Sequence, residues 1–272
     1  MMFQIKTLLL PVDFSERSLE AARQAKAIVR HFHCRLIVLN VDEVDRRTSL
    51  QFEPGGWSAE GLQAYFDREF ADTPIQFVAK EGDSAQVIAE QARTDAADLI
   101  VIAGHTRNPF EDFALGSVTA DLLSSAPCPV WVSLHDEKGP PPLFRRILCA
   151  VDLSDQSAKV SDWAVAFANA FSAACDIIHV SDGGENEVGH TTEDSLPRIE
   201  REAVDRIRAK LRTRGEVILA TGGLETAVGG ISKELRSDLL VIGRSLAGNA
   251  IDHVHSASYK LVHNAPCPVV CI

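Results

Sequence analysis

Aspartates followed by serines stand directly after two short apolar runs of the sequence. Asp13 follows the first of these runs, and Ser15 comes two residues later. Asp152 follows a second run and is succeeded in the same way by Ser154. A carboxylate in such a place can accept hydrogen bonds from a ribose or a base. An aspartate that forms an Asx turn or caps the next helix has the same neighbours, so the residue types leave both interpretations open.

Glycines follow two later apolar runs, at Gly104 and Gly243. A glycine lets the backbone approach a phosphate without an intervening side chain, but it equally permits tight packing between a strand and a helix. After Gly104, the triplet Gly116-Ser117-Val118 begins a predicted helix. The free N–H groups and the dipole of a helix N-terminus attract anions, so this triplet is a candidate phosphate site, although Ser117 could also serve as a simple cap.

The sequence repeats itself at a constant shift of 139 residues, as from Asp13 to Asp152. The segments 126–130 and 265–269, which both read Ala-Pro-Cys-Pro-Val, are related by the same shift. A shift that stays constant across widely separated motifs is not expected by chance. Two copies of this length indicate a duplicated domain rather than a solenoid, which needs at least three short stacking units.

Short apolar runs alternate with segments of helical periodicity in each copy. This pattern favours two tandem doubly wound α/β domains, each with a mostly parallel sheet covered on both faces, and ligands bind such sheets beyond the carboxyl ends of the strands. The first domain is predicted at 1–138 and the second at 143–272, with the Pro-rich segment 139–142 as linker. The predicted strands are 6–12, 35–41, 75–80, 98–103, 130–134, 146–151, 176–180, 216–220, 238–242 and 269–272. The predicted helices are 18–32, 84–94, 118–125, 158–171 and 196–212, and the glycine-rich stretch 221–230 is predicted to be a loop and the start of a helix.

With these residues in place, the whole chain resembles the universal stress proteins in their tandem two-domain form. The resemblance lies in Val-Asp-x-Ser after the first strand of each half and in Asn-Val or His-Val at the end of the second strand. It also lies in the stretch that leads from Gly104 or Gly243 through Ala-Pro-Cys-Pro-Val into the last strand. Together these motifs are specific, whereas each alone is weak.

The resemblance implies a five-stranded sheet of the adenine-nucleotide alpha-hydrolase-like type in each domain. It implies ATP or a related adenine nucleotide as the ligand, with or without Mg²⁺. Members that bind ATP are similar in using Gly-x2-Gly-x9-Gly-Ser/Thr for the ribose and phosphates, with the first-strand Asp and the second-strand Val at the base end. Carried over, the implied binding residues of the first domain are Pro11, Val12, Asp13, Val41, Gly104, Arg107, Gly116, Ser117 and Val118. Those of the second domain are Asp152, Val180, Gly243 and Ser256.

Both domains depart from the glycine pattern of the ATP-binding members. Arg107 stands in place of the second glycine, where it can either reach a phosphate or close the pocket, and Gly116 lies one position closer to Gly104 than the pattern requires. In the second domain Leu246 replaces the second glycine and His255 replaces the third. A side chain obstructs a place where backbone must meet a phosphate. The sequence therefore predicts a nucleotide in the first domain and a degenerate second site.

The composition excludes several classes of function. The formal net charge is −11, and neither half has the basic excess that nucleic-acid binding needs. No apolar run approaches the roughly 18 residues of a membrane span, and the N-terminus lacks a signal-peptide pattern, so a cytoplasmic location is predicted. The 6 cysteines are predicted to be reduced, small hydrophobic residues, and no metal site is predicted.

The leading hypothesis is a universal stress protein that senses or holds an adenine nucleotide and acts through protein partners, without substantial turnover. An alternative is a nucleotide-free interaction protein that acts by dimerisation. A minority alternative is a hydrolase, since 243–247 reads Gly-Arg-Ser-Leu-Ala, although too few residues follow Ser245 to supply an acid and a histidine from further strands. The apolar last strands predict that the two halves pack as an internal pseudo-dimer, and a homodimer is expected.

Overall fold

The chain folds into two compact units, residues 2–142 and 143–272, in a computed structural model. The structure describes residues 3–13, 15–42, 59–104, 116–133, 144–154, 156–181, 189–211, 215–244 and 257–272. The predicted linker 139–142 lies outside the described residues. No helix in these ranges is long and apolar enough to cross a membrane.

The N-terminal unit contains a parallel sheet in the order β3-β2-β1-β4-β5. The chain winds outward from β1 to β3 and then returns to the other side of β1 with β4, so the winding direction reverses between β1 and β4. In such sheets this reversal opens a crevice beyond the carboxyl ends of the two strands. The elements are β1 (Thr7–Val12), α1 (Glu16–Phe32), β2 (Arg35–Asp42), α2 (Ala59–Glu69), β3 (Ile75–Glu81), α3 (Ser84–Thr94), β4 (Leu99–Ala103), α4 (Ser117–Ser125) and β5 (Val130–Ser133).

The C-terminal unit has the same winding, with strands in the order β11-β10-β6-β7-β9-β8. The winding reverses between β6 and β10, and the short β8 pairs antiparallel with β9 at one edge. The elements are β6 (Arg146–Val151), α5 (Ser157–Phe171), β7 (Ala174–Ser181), β8 (Gly189–His190), α6 (Arg198–Lys210), β9 (Val217–Thr221), α7 (Leu224–Leu235), β10 (Leu239–Ile242), α8 (Ala257–Asn264) and β11 (Val269–Cys271).

An aspartate fixes the register of the central strands in each unit. Asp98 precedes β4, and its Oδ2 accepts hydrogen bonds from the backbone N–H groups of Lys6 and Thr7, at 2.7 and 2.9 Å. Asp238 precedes β10 and accepts in the same way from the two backbone N–H groups at the start of β6. These bonds hold the amino ends of the central strands together, so the carboxyl ends also meet at a common edge.

The predicted doubly wound α/β fold is confirmed. Every predicted strand is present with ends within about two residues, because the strands are buried apolar runs such as Leu8–Leu10, which is completely buried. The structure also contains α2, α8 and β8, which were not predicted. Helix α7 begins within the predicted glycine-rich loop, at Leu224, and continues through Gly229 and Gly230. All 6 cysteines are buried.

Candidate functional site

The two predicted aspartates each form a hydrogen-bonded cluster at the carboxyl end of a central strand. Oδ1 of Asp13 accepts from the backbone N–H of Ser15 at 3.2 Å, from its hydroxyl at 2.6 Å and from the Ser18 hydroxyl. Oδ1 of Asp152 accepts from the backbone N–H of Ser154 at 2.9 Å and from the Ser157 hydroxyl at 2.7 Å. The Asx-turn interpretation is therefore confirmed for both aspartates.

This turn does not use up the hydrogen-bonding capacity of either carboxylate. Every hydrogen bond described above ends on Oδ1, and both aspartates are exposed. Within the described residues Oδ2 accepts none, so it remains available to a ligand. The second serines of the clusters, Ser18 and Ser157, were not predicted, although Asp-x-Ser-x-x-Ser occurs in both copies at the same shift.

The clusters lower the pKa of both carboxyls. Partial burial raises the pKa of Asp13, but the hydrogen bonds from Ser15 and Ser18 together outweigh this effect, so the net pKa lies below its ordinary value. Burial also raises the pKa of Asp152, and the hydrogen bonds from Ser154 and Ser157 lower it. Its net pKa again lies below the ordinary value. Both side chains are thus held as carboxylates.

We expect Asp13→Asn to make unfolding less sensitive to acid. A carboxyl whose pKa is lower in the folded protein stabilises it above the unfolded-chain value of about 3.9, and this stabilisation is lost as the pH falls through the folded-state pKa. Asn keeps an oxygen for Ser15 and Ser18 but cannot titrate. Urea unfolding at pH 7 and near pH 3 should show a smaller loss of unfolding free energy than in the wild type. Asp72 is exposed and forms no such cluster with the residues that the structure describes, so Asp72→Asn should leave the loss unchanged. An equal loss in Asp13→Asn would contradict the expectation.

The backbone beyond the paired part of β2 and β7 is the second feature of the site. The last residue pairs between the first and second strands are Val12 with Asn40 and Val151 with His179. Val41 and Val180 come one residue later, where the first strand no longer covers them. Pro11 and Val12 are the last two residues of β1 and are buried beside this point. A flat group such as a base could lie there against the strand ends.

The two predicted glycines have different structural roles. A Cβ on Gly104 would lie 2.5 Å from the carbonyl oxygen of Ser133 in β5, so packing between adjacent strands already requires glycine at that position. A Cβ on Gly243 would meet Val160 Cγ2 at 3.4 Å, an ordinary contact. Packing therefore explains Gly104, but it leaves Gly243 without a structural requirement.

Helix α4 begins at the predicted anion-binding triplet. Gly116 is the N-cap residue and supplies no side-chain cap, and Ser117 is exposed in the first turn beside Val118. Arg107 lies outside the described residues with the rest of the loop 105–115. Ser256 also lies outside them, as do Leu246, His255 and Ser245 of the second domain.

A cavity of about 760 Å³ lies at the carboxyl ends of the strands in the C-terminal unit. It brings together three of the predicted residues of that unit, Asp152, Val180 and Gly243. Pockets of roughly 300–1,000 Å³ are typical for small-molecule ligands. The cavity thus has the position and size expected of a ligand site.

The charges around the cavity are unevenly distributed. Asp152 at the end of β6 and Glu200 in the first turn of α6 contribute carboxylates, and Arg244 directly after β10 contributes a guanidinium. Arg244 is the one lysine or arginine that lines the cavity in the described part of the chain. Neither Glu200 nor Arg244 was predicted, because nothing in their local sequence marks them as neighbours of Asp152.

Both units match the model of one known family. The model for the "Universal stress protein family" matches residues 4–133 and again residues 143–272. The chain belongs to the universal stress protein family. It consists of two such domains in tandem, as the sequence predicted.

Individual relatives agree with this assignment. Universal stress protein MJ0531 of Methanocaldococcus jannaschii is 32% identical over 144 residues, which cover 49% of this chain and 84% of the relative. Universal stress protein YxiE of Bacillus subtilis is 28% identical over 149 residues, which cover 48% of this chain and 99% of the relative. The crystal structure of a universal stress protein from Archaeoglobus fulgidus has a TM-score of 0.74 at 19% identity and covers 99% of this chain and 97% of its own. At 19% identity, the similarity to the Archaeoglobus fulgidus structure shows that the two proteins share a fold.

Proposed function

We propose that this universal stress protein holds an adenine nucleotide at the carboxyl ends of its strands and acts as a nucleotide-dependent regulatory protein. The observation that carries the proposal is the cavity of about 760 Å³ beside Asp152, Val180 and Gly243. These residues occupy the positions that the family resemblance implies for a nucleotide. The proposed ligand is ATP or a related adenine nucleotide.

The base is assigned to the end of the cavity at β6 and β7. Asp152 offers Oδ2 there as an acceptor, and Val180 offers backbone that β6 no longer covers. The phosphates are assigned to the end at β10. Gly243 has no side chain to keep them from the backbone, and the guanidinium of Arg244 supplies a positive charge suited to phosphate.

The N-terminal unit, for which the sequence predicts the nucleotide, is proposed as a further site. The proposal for the C-terminal unit departs from the prediction of a degenerate site there, because the cavity lies in that unit. It keeps Gly116, Ser117 and Val118 at the start of α4, and it repeats the aspartate cluster at Asp13. Replacing Gly116 with Leu would put a side chain where a phosphate is expected to meet backbone. This variant therefore separates the N-terminal site from the cavity of the C-terminal unit.

The role proposed for the held nucleotide is regulatory. The bound nucleotide would determine whether the protein binds its protein partners in a stress response. The internal pseudo-dimer, the homodimer and the cytoplasmic location remain predictions that accompany this role.

We expect the purified protein to carry an adenine nucleotide or to take one up. Denaturing the protein and analysing the supernatant by chromatography tests the first possibility, and the thermal unfolding midpoint with and without ATP tests the second. A ligand that binds only the folded chain stabilises it by about 2.7 kcal/mol at a concentration one hundred times its dissociation constant, so a clear rise of the midpoint is expected. No released adenine species together with an unchanged midpoint would favour the nucleotide-free interaction protein instead.

A further inference from the structure

The two units differ in one side chain at the base end of the site. Asn40 in the N-terminal unit donates a hydrogen bond from Nδ2 to the carbonyl of Val12, at 2.9 Å. His179 is its counterpart in the C-terminal unit, and its Nδ1 lies 3.0 Å from the carbonyl oxygen of Val151. The same bond is therefore made in both units, but the imidazole has a second nitrogen.

That second nitrogen faces a carboxylate across the cavity. A carbonyl oxygen can only accept, so Nδ1 of His179 carries a hydrogen. In the tautomer whose single hydrogen is on Nδ1, Nε2 presents a lone pair. His179 is only 6% exposed, and both it and Glu200 line the cavity. Nε2 lies 3.9 Å from Oε2 of Glu200, too far for a direct hydrogen bond. No other hydrogen bond to Nε2 occurs within the described residues.

Two acceptors at this distance create a place for a donor. In the Nδ1–H tautomer, the lone pair of Nε2 and the carboxylate of Glu200 are two acceptors that a hydrogen-bond donor placed between them satisfies together. A donor atom about 2.9 Å from each, the usual hydrogen-bond length, fits a gap of 3.9 Å. A group with two hydrogens can satisfy both acceptors.

We infer that His179 and Glu200 determine base specificity in the C-terminal cavity by binding the exocyclic amino group of a 6-aminopurine. This inference rests on the proposed function. The pair adjoins Val180 at the base end, whereas Arg244 follows β10, two strands away across β6. Two strand spacings are roughly 10 Å, comparable with the separation of base and phosphates in an extended nucleotide. A 6-oxopurine would instead turn a carbonyl oxygen toward two acceptors.

The test compares ATP with inosine triphosphate, which carries a carbonyl oxygen in place of the amino group and a hydrogen on the adjacent ring nitrogen N1. Equilibrium dialysis of the full chain in the Gly116→Leu background isolates the C-terminal cavity. We expect ATP to bind at least tenfold more tightly, because the oxo group turns an acceptor toward the buried His179 and toward the carboxylate of Glu200. Glu200→Gln places an amide that can donate to the oxo group, so the preference should shrink or reverse.

Two further variants serve as controls. His179→Asn reproduces the Asn40 arrangement and keeps the bond to the strand carbonyl, so the protein should fold while the preference for ATP falls. Glu202→Gln changes an exposed glutamate of the same helix that does not line the cavity, and should leave the preference intact. Equal binding of the two nucleotides, or an unaltered preference in Glu200→Gln, would overturn the inference and leave the proposed function standing. Binding of neither nucleotide would overturn both the inference and the assignment of a nucleotide to the C-terminal cavity.

Discussion

Gly215→Ala is expected to destabilise the C-terminal unit by about 3 kcal/mol or more, at the upper end of what overpacking costs. A Cβ on Gly215 would lie 1.9 Å from the carbonyl oxygen of Cys175 and 2.5 Å from its carbonyl carbon. These atoms belong to the backbone of β7, where Cys175 is completely buried and pairs with Ile147 of β6. A strand held in this way cannot shift to admit a methyl group without losing sheet hydrogen bonds.

The matched control is Gly230→Ala in the same unit. Gly230 lies within α7, and a Cβ there would meet nothing within 4 Å. Alanine is favoured over glycine inside a helix by roughly 0.5–1 kcal/mol, so this variant should be slightly more stable than the wild type. Urea unfolding of the full chain measures both effects. A Gly215→Ala protein with the wild-type midpoint would show that β9 does not start against β7 as described.

Arg244→Glu is expected to weaken ATP binding in the C-terminal cavity by ten- to a hundredfold. A hydrogen bond to a charged group contributes roughly 1.5–3 kcal/mol, and loss of the guanidinium removes such a bond to a phosphate. The reversal also adds a third carboxylate to the two at Asp152 and Glu200. Dialysis against ATP in the Gly116→Leu background measures the loss.

Arg206→Glu makes the same change of charge on the exposed face of α6, away from the cavity. It should alter the affinity for ATP by little, because charges exposed to solvent are screened by salt. A comparable loss in both variants would mean that overall charge, and not a contact at Arg244, governs binding. If Arg244→Glu left the affinity for ATP unchanged, the phosphates would not bind at the end of β10.

The features that the sequence predicted well are those with local causes. The strands are nearly uninterrupted apolar runs, and most of them are buried, as such runs are expected to be. The constant shift between the halves also predicted that Asp13 and Asp152 share one environment, and their hydrogen bonds agree. Such features depend on residues a few positions apart in the chain.

The features that the sequence missed depend on packing between distant segments. Glu200 meets His179 because α6 begins beside the end of β7, and no local pattern encodes that meeting. The start of α7 was predicted within 221–230, but its length was not, because the glycines at 229 and 230 weaken the helical signal. Burial of side chains such as Ile231 compensates in the folded unit. Gly104 and Gly243 look equivalent in the repeat, yet only Gly104 is required by contact with a neighbouring strand.

The most direct test of the account is equilibrium dialysis of ATP against the full chain after bound nucleotide has been stripped. The account predicts saturable binding by the wild type and binding at least tenfold weaker in the double variant Gly116→Leu/Arg244→Glu, which alters both proposed sites. The single variants should each retain the binding of the unaltered unit. No saturable binding by the wild type, or a double variant that binds ATP as tightly as the wild type, would contradict the account.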